Sequence, residues 1–194
     1  MEIIKQTNLD ELEQIADEVR KCNKCWLHKE RTNAVPGEGP LDADIMLIGE
    51  GPGKQEDREG RPFVGRAGEL LGELFVAAGL SREEVFITSV VKCRPPNNRT
   101  PKKDEVHACN PYLQRQIKVI QPKIIGTLGN HATETLLGKF GIRRLHGQKY
   151  EFKEYILIPL YHPAAGLYYP TLRAEMIKDM KRLVKERKFS KTEM

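Results

Sequence analysis

The sequence predicts an α/β fold in which a parallel sheet is covered by helices on both faces. Two observations carry this. Short apolar runs that read as strands alternate along the chain with stretches whose apolar residues recur at helical spacing. The strand runs are apolar at successive positions, as expected when both faces of a sheet are buried. A third observation sets the scale. The chain has 194 residues, enough for one domain to bury a core without disulfide staples.

Taken in order, Asn8 caps a first helix with Glu11 in the reciprocal position. Leu9, Leu12, Ile15, Ala16 and Val19 follow at helical spacing and lead to the pair Cys22 and Cys25. After the Pro/Gly-rich loop Val35-Pro36-Gly37-Glu38-Gly39-Pro40, residues 44–49 read as a buried strand ending in Glu50-Gly51-Pro52-Gly53. Residues 67–78 read as a helix stopped by Gly79, and 85–91 as a second strand. A Pro-, Asn- and Arg-rich loop runs from Cys93 to Pro101. Residues 104–120 form a second core helix, kinked or broken at Pro111. A third strand (124–129), a helix (131–137), a β-excursion (142–155), a core strand (155–160) and a basic helix (about 171–188) complete the chain. In such sheets ligands bind at the carboxyl ends of the strands. The loops at Glu50–Gly53, Ser89, Gly129 and His162 are therefore expected on one edge.

Hydrophobic residues make up 39% and charged residues 30%, a globular composition and not a disordered one. No apolar run approaches the ~20 residues of a membrane helix. The first residues lack the basic-then-apolar pattern of a secretory signal. Lys and Arg number 32 against 27 acids. That net charge of +5 is compatible with a polyanionic partner without requiring one.

The four cysteines are Cys22, Cys25, Cys93 and Cys109. Without a signal peptide the expected compartment is the cytoplasm, where disulfides are rare. The two-residue spacing of Cys22 and Cys25 lets two thiolates share one metal or cluster, and the other two complete a set of four. Four thiolates suit a structural zinc or an iron–sulfur cluster. The alternative is a redox pair plus two buried cysteines.

Four loops carry candidate chemistry. Gly49-Glu50-Gly51-Pro52-Gly53 lets backbone approach a ligand closely, but lacks the Gly-Lys-Ser/Thr of a phosphate loop. In Gly60-Arg61-Pro62-Phe63-Val64-Gly65, Phe63 is a stacking platform for a base or, alternatively, minor core. Arg94 and Arg99, in the loop after Cys93, suit phosphates, or simply solvent. His162, in Tyr161-His162-Pro163-Ala164, sits where a catalytic group sits in this architecture. Beyond it, Leu167, Tyr168, Tyr169 and Pro170 make an apolar tip suited to wedge into a duplex.

Together these segments resemble the family 4 uracil-DNA glycosylases, the iron–sulfur type found in thermophilic bacteria and archaea. The carrying motifs are Gly49-Glu50-Gly51-Pro52-Gly53, Gly60-Arg61-Pro62-Phe63-Val64-Gly65, Val91-Lys92-Cys93-Arg94-Pro95-Pro96 and His162-Pro163, with the four cysteines in matching order. The resemblance spans the chain from about Cys22 to the final helix. It implies a three-layer α/β/α sandwich around a four-stranded parallel sheet, in a single domain over residues 1–194. It implies a [4Fe-4S] cluster on Cys22, Cys25, Cys93 and Cys109, and a hydrolase that removes uracil from DNA to start base excision repair. No lysine is clearly placed as a Schiff-base nucleophile, so a monofunctional enzyme without lyase activity is expected.

By the same resemblance Phe63 covers a flipped-out uracil, and His162 donates to uracil O2 and stabilises the leaving anion. Backbone donors of the glycine turn, with Gly51 and Gly53, contact O2 as well. Glu50 positions the water. Gly51 stands where several other uracil glycosylase families carry an activating Asp. The runner-up carboxylates are Glu56 and Asp57, on the next loop. Arg94, Arg99 and Leu167 contact DNA, and the last helix adds Lys178, Lys181, Arg182, Lys185, Arg187 and Lys188, most of them a solvated face. The chain departs from the family at Thr88-Ser89, where Thr-Asn is expected. Ser89 is too short for the two-point contact an Asn makes with the uracil edge, which relaxes selectivity over cytosine. The expected partner is uracil-containing DNA, single- or double-stranded, bound by a cytoplasmic, nucleoid-associated monomer. A sliding-clamp contact is compatible but not legible. The alternative is a catalytically weakened uracil- or DNA-binding module on the same fold.

Overall fold

The computed structural model describes residues 2–189, with side chains from 6 to 187. Lys188 lies outside the described side chains. The elements are α1 (Glu2–Lys21), β1 (Ile45–Gly49), α2 (Lys54–Glu59), α3 (Arg66–Ala78), β2 (Val85–Ser89), α4 (Lys103–Ile120), β3 (Ile124–Leu128), α5 (Asn130–Leu137), α6 (Ile142–Leu145), β4 (Tyr150–Glu151), β5 (Ile156–Leu160), α7 (Pro163–Tyr168) and α8 (Arg173–Phe189).

The sheet order is β2-β1-β3-β5-β4. The first four strands are parallel, with Gly49 beside Ser89, Ile48 beside Thr127 and Leu128 beside Leu160. All four therefore end on one edge, and the loops at Glu50, Ser89, Gly129 and His162 meet there. The expected count of four strands is corrected to five. The two-residue β4 pairs antiparallel with β5 and lengthens the sheet by one edge strand.

Each strand feeds two cores. In β1, Ile45 and Leu47 pack with Leu71, Leu74 and Phe75 of α3 and Met176, Met180 and Leu183 of α8. Met46 and Ile48 pack on the opposite face with Ile15 and Val19 of α1 and Tyr112 and Leu113 of α4. The period-two alternation of a strand thus separates an unbroken apolar run into two faces, which makes three layers. No helix among the described residues is long and apolar enough to cross a membrane.

Several expectations are revised. Asn8 does not cap α1, which starts at Glu2. No Pro or Gly in residues 2–8 stops the helix, and Gln6 Nε2 donates to Asp10 Oδ1 at 2.9 Å across one turn there. Helix α4 is not broken at Pro111 but runs on through it, without the hydrogen bond that Pro cannot donate. Residues 142–155 hold only two strand residues, because Gly141 at φ +110° starts the single turn α6 instead. The second strand stops at Ser89, since Val90 and Val91 donate to Gly49 O and Glu50 O, beyond the ladder. The segment 35–40 lies along the outer edge of β2, where Glu38 and Ile87 exchange both backbone hydrogen bonds (3.0 and 2.8 Å).

Candidate active site

At the carboxyl edge of the sheet a cavity of about 330 Å³ is lined by Glu50, Gly51, Gly53, Phe63, Ser89, Arg99 and His162. The sequence singled out all seven, and the runner-up carboxylate Glu56 lines the cavity with them. Arg94 and Leu167 do not line it; Arg94 Nε donates instead to Asn98 Oδ1 at 2.7 Å. Asn98, Pro62 and Pro95 join the lining without a role given them by sequence reasoning.

The glycine turn is shaped by close approach. A Cβ on Gly49 would lie 2.9 Å from the Phe63 ring and 3.2 Å from Ser89 Oγ, so only glycine lets that ring cross the strand end. A Cβ on Gly51 would lie 2.7 Å from Val91 Cγ2. The carboxylate of Glu56 joins this turn to the loop that carries the ring. It accepts from the backbone N–H of Gly53 (3.2 Å) on one side, and from Val64 (2.9 Å) and Gly65 (2.9 Å) on the other. Glu56 and Asp57 lie on α2 and not on a loop. Asp57 is buried and accepts from Thr32 N (2.9 Å) and Asn33 N (3.4 Å), away from the cavity. A carboxyl placed three residues after a glycine turn is the sequence signal for the first of the Glu56 contacts.

Phe63 is buried and adopts φ +50°. Its ring centroid is 5.7 Å from that of His162, with the planes tilted by 36°. His162 precedes α7, and its Nδ1 accepts from Ala164 N–H at 3.2 Å. An acceptor Nδ1 leaves the proton of the neutral ring on Nε2. Burial lowers the imidazole pKa from 6.5 to about 4, only partly offset by Glu56, so the ring is neutral at physiological pH. Gly129, at φ +91°, admits His162 to the end of β3; a Cβ there would sit 3.0 Å from His162 Cβ.

Burial pushes the Glu50 carboxyl above its usual range, against the opposing pull of His131 and Thr100. Glu50 also lines a second cavity of about 490 Å³, with His107, His131, Lys103 and Glu134, and so stands on the wall between the two. Arg99 is paired bidentately with buried Glu105 at 2.8 and 2.6 Å, so it reaches the cavity with its charge largely compensated. Beneath Ser89, the buried Lys92 donates from Nζ to Thr88 Oγ1 (2.5 Å) and Ser89 O (2.7 Å). On the far tip, Tyr168 and Tyr169 are 79% and 63% exposed, while Leu167 is half-buried. On α8, Lys178, Lys181, Arg182 and Lys185 are exposed, and Arg187 pairs with Glu84 at 2.9 Å.

The four cysteines form no disulfide and line one small cavity, with Tyr112, Val19 and Lys92. Arg31 Nη1 donates to Cys93 Sγ at 3.0 Å, and Lys92 N–H to Cys109 Sγ at 3.3 Å. Burial raises the pKa of Cys25 and Cys93, and that of Cys109 to about 11. Among the described residues no three donors close on a single metal ion.

The α/β/α sandwich thus sets an aromatic ring, a neutral imidazole and a glycine turn around one cavity at its carboxyl edge, the arrangement of a ring-binding α/β protein. Within that class, the chain belongs to the uracil DNA glycosylase superfamily, whose model matches residues 36–185. It is 54% identical to the Type-4 uracil-DNA glycosylase of Sulfurisphaera tokodaii, over 90% of this chain and 84% of that one. Identity to the Type-4 uracil-DNA glycosylase of Saccharolobus solfataricus is 53%, over 94% and 89%. The Type-4 uracil-DNA glycosylase of Archaeoglobus fulgidus is 46% identical, over 90% and 92%.

Proposed function

We infer that this protein is a uracil-DNA glycosylase that hydrolyses the bond between uracil N1 and C1′ of deoxyuridine in DNA, the first step of base excision repair. The observation that carries the reading is His162. A neutral imidazole with its proton on Nε2 donates to a developing anion without holding a buried charge of its own.

The target nucleotide leaves the stack and its base enters the cavity against Phe63. As the C1′–N1 bond breaks, its electron pair passes to uracil and is delocalised onto O2. His162 Nε2–H and the backbone donors at Gly51 and Gly53 stabilise that charge. C1′ becomes oxocarbenium-like. Glu50 is the carboxylate that positions a water for attack on C1′ and accepts its proton, with a base strength raised by burial. The products are uracil and an abasic deoxyribose. Ser89, at the cavity wall, contributes a single hydroxyl where an amide would make two contacts. Among the described residues lining the cavity there is no lysine. That supports hydrolysis without strand cleavage.

Cys22, Cys25, Cys93 and Cys109 would hold a [4Fe-4S] cluster, a structural cross-link without a redox part in base excision. The reading is supported by the gathering of all four cysteines on one small cavity, and by Arg31 and the Lys92 amide, whose N–H groups point at Cys93 Sγ and Cys109 Sγ and would compensate thiolate charge. Arg94, Arg99, Leu167 and the exposed pair Tyr168 and Tyr169 form the DNA-facing rim. The whole chain acts as one domain, as a monomer on cytoplasmic, nucleoid DNA; a sliding clamp is a compatible further partner.

The test is an oligonucleotide carrying one labelled uracil, a matched one carrying cytosine, and alkali to cleave abasic sites. Cleavage at uracil alone establishes the activity and shows that Ser89 supports selectivity. Cleavage at both means that the serine relaxes it. No cleavage by protein with a full cluster moves the assignment to the binding module.

A further inference from the structure

The ring of Phe63 is placed by a loop that two opposite charges grip. On one side, the Glu56 carboxylate takes the N–H groups of Val64 and Gly65. On the other, the Arg82 guanidinium takes the carbonyls: Nη2 donates to Pro62 O (2.5 Å) and Nη1 to Phe63 O (3.1 Å). Arg82 is in turn aimed by Glu38, whose Oε1 accepts from Arg82 Nε (3.2 Å) and Nη2 (2.9 Å). Glu38 also accepts Arg61 Nε and Nη2 at 2.8 and 3.0 Å. Its backbone is paired to Ile87 on the edge of β2. Burial pushes the Glu38 carboxyl up, but the two arginines outweigh it and hold the group below its usual range.

Neither Arg82 nor Glu38 lines the Phe63 cavity. Yet Phe63 has a backbone that a side-chain-bearing residue seldom adopts, φ +50°. Such a conformation persists only where its surroundings over-determine it. We propose that Arg82, oriented by Glu38, is a positioning residue for excision: it holds the peptide of Phe63 in the left-handed region and so fixes the ring against the flipped base. Because this guanidinium lies outside the cavity, its loss frees the ring while leaving His162 and Glu50 in the lining. The inference rests on the glycosylase reading.

The test is a double-mutant cycle under single-turnover conditions, with the cluster-loaded protein and a duplex holding one uracil. Arg82→Ala is expected to slow excision about tenfold or more. Binding to a duplex carrying a tetrahydrofuran abasic analogue, which presents no base to Phe63, should stay within about twofold. In a Phe63→Ala background, Arg82→Ala should add nothing further. Arg82→Lys keeps the charge beside Glu38 but cannot reach two carbonyls and a carboxylate together, and should recover only part of the rate. Glu38→Gln should slow excision in the same direction by less. If Arg82→Ala does not fold, Arg82→Lys and Glu38→Gln carry the cycle.

Equal losses from Arg82→Ala with and without Phe63 would overturn the proposal, because a general destabilisation acts alike in both backgrounds. So would an unchanged rate in the folded variant. An inactive wild-type protein with a full cluster refutes the glycosylase reading instead, and the two failures are thereby told apart.

Discussion

His162 is the residue whose environment says most about mechanism. Its Nδ1 is occupied by the Ala164 amide, so protonating the ring would set two N–H groups against each other. This fixes the sign of the pH effect. The unfolded imidazole takes up its proton below about 6.5, whereas the folded one waits until about 4. Stability from this group is therefore complete above pH 6.5 and is lost as pH falls from there toward 4. Activity should behave differently. The acid limb of the excision rate should belong to Glu50, whose carboxyl burial pushes above its usual range, and not to the histidine. A rate profile from pH 4 to 8 checks this, and an inflection near 6.5 that disappears in His162→Ala would contradict the neutral-imidazole role. His162→Ala itself should slow single-turnover excision roughly 100-fold, the scale of one lost donor to a developing anion. At this scale the sequence was informative where a residue type implies its chemistry: Glu50, Phe63 and His162 all reach one cavity. It was silent where the partner is remote in sequence. Nothing local in Arg82 points to residues 38, 62 and 63.

Elements set those residues in place by packing, and α3 does so for the Phe63 loop. Gly68 lies in its first turns, and a Cβ there would fall 2.0 Å from Phe63 O. Backbone cannot yield by that much without displacing the loop. Gly68→Ala should destabilise the protein by about 1–3 kcal/mol despite alanine's better helix propensity. It should also cut excision by more than the folded fraction lost, which denaturant melts and single-turnover rates on the same sample will show. An alanine that stabilises with full activity would mean the loop relaxes freely. The strands were legible to within one or two residues, because buried parallel strands are continuous apolar runs ending in glycine or polar residues. Segment 142–155 was not. It is built of pieces two to four residues long, shorter than either period needs to declare itself. The early start of α1 was hidden because Asn8 has a capping side chain but no break before it.

Across the whole molecule, the four cysteines join the end of α1, the loop after β2 and the second turn of α4. A cluster there would fix α1 and α4 to the loop that carries Arg94 and Arg99. Iron and sulfide analysis should give about four of each per chain. Cys109→Ser should lose the cluster colour and about 3 kcal/mol of stability, comparable to a lost cross-link, lowering Tm by roughly 6–12 °C. A colourless variant that melts with the wild type would show that the thiols pack well without iron. The layered architecture was readable from composition and periodicity, since both demand burial of two sheet faces. The fifth strand was not, because two residues leave no periodic trace.

That fifth strand has a consequence beyond topology. With β4 against β5 and Glu38 against Ile87, both outer strands of the sheet already spend part of their backbone bonding capacity within the molecule. Among the described residues a second chain finds no long bare edge strand on which to add its own, so sheet-to-sheet growth between molecules is discouraged.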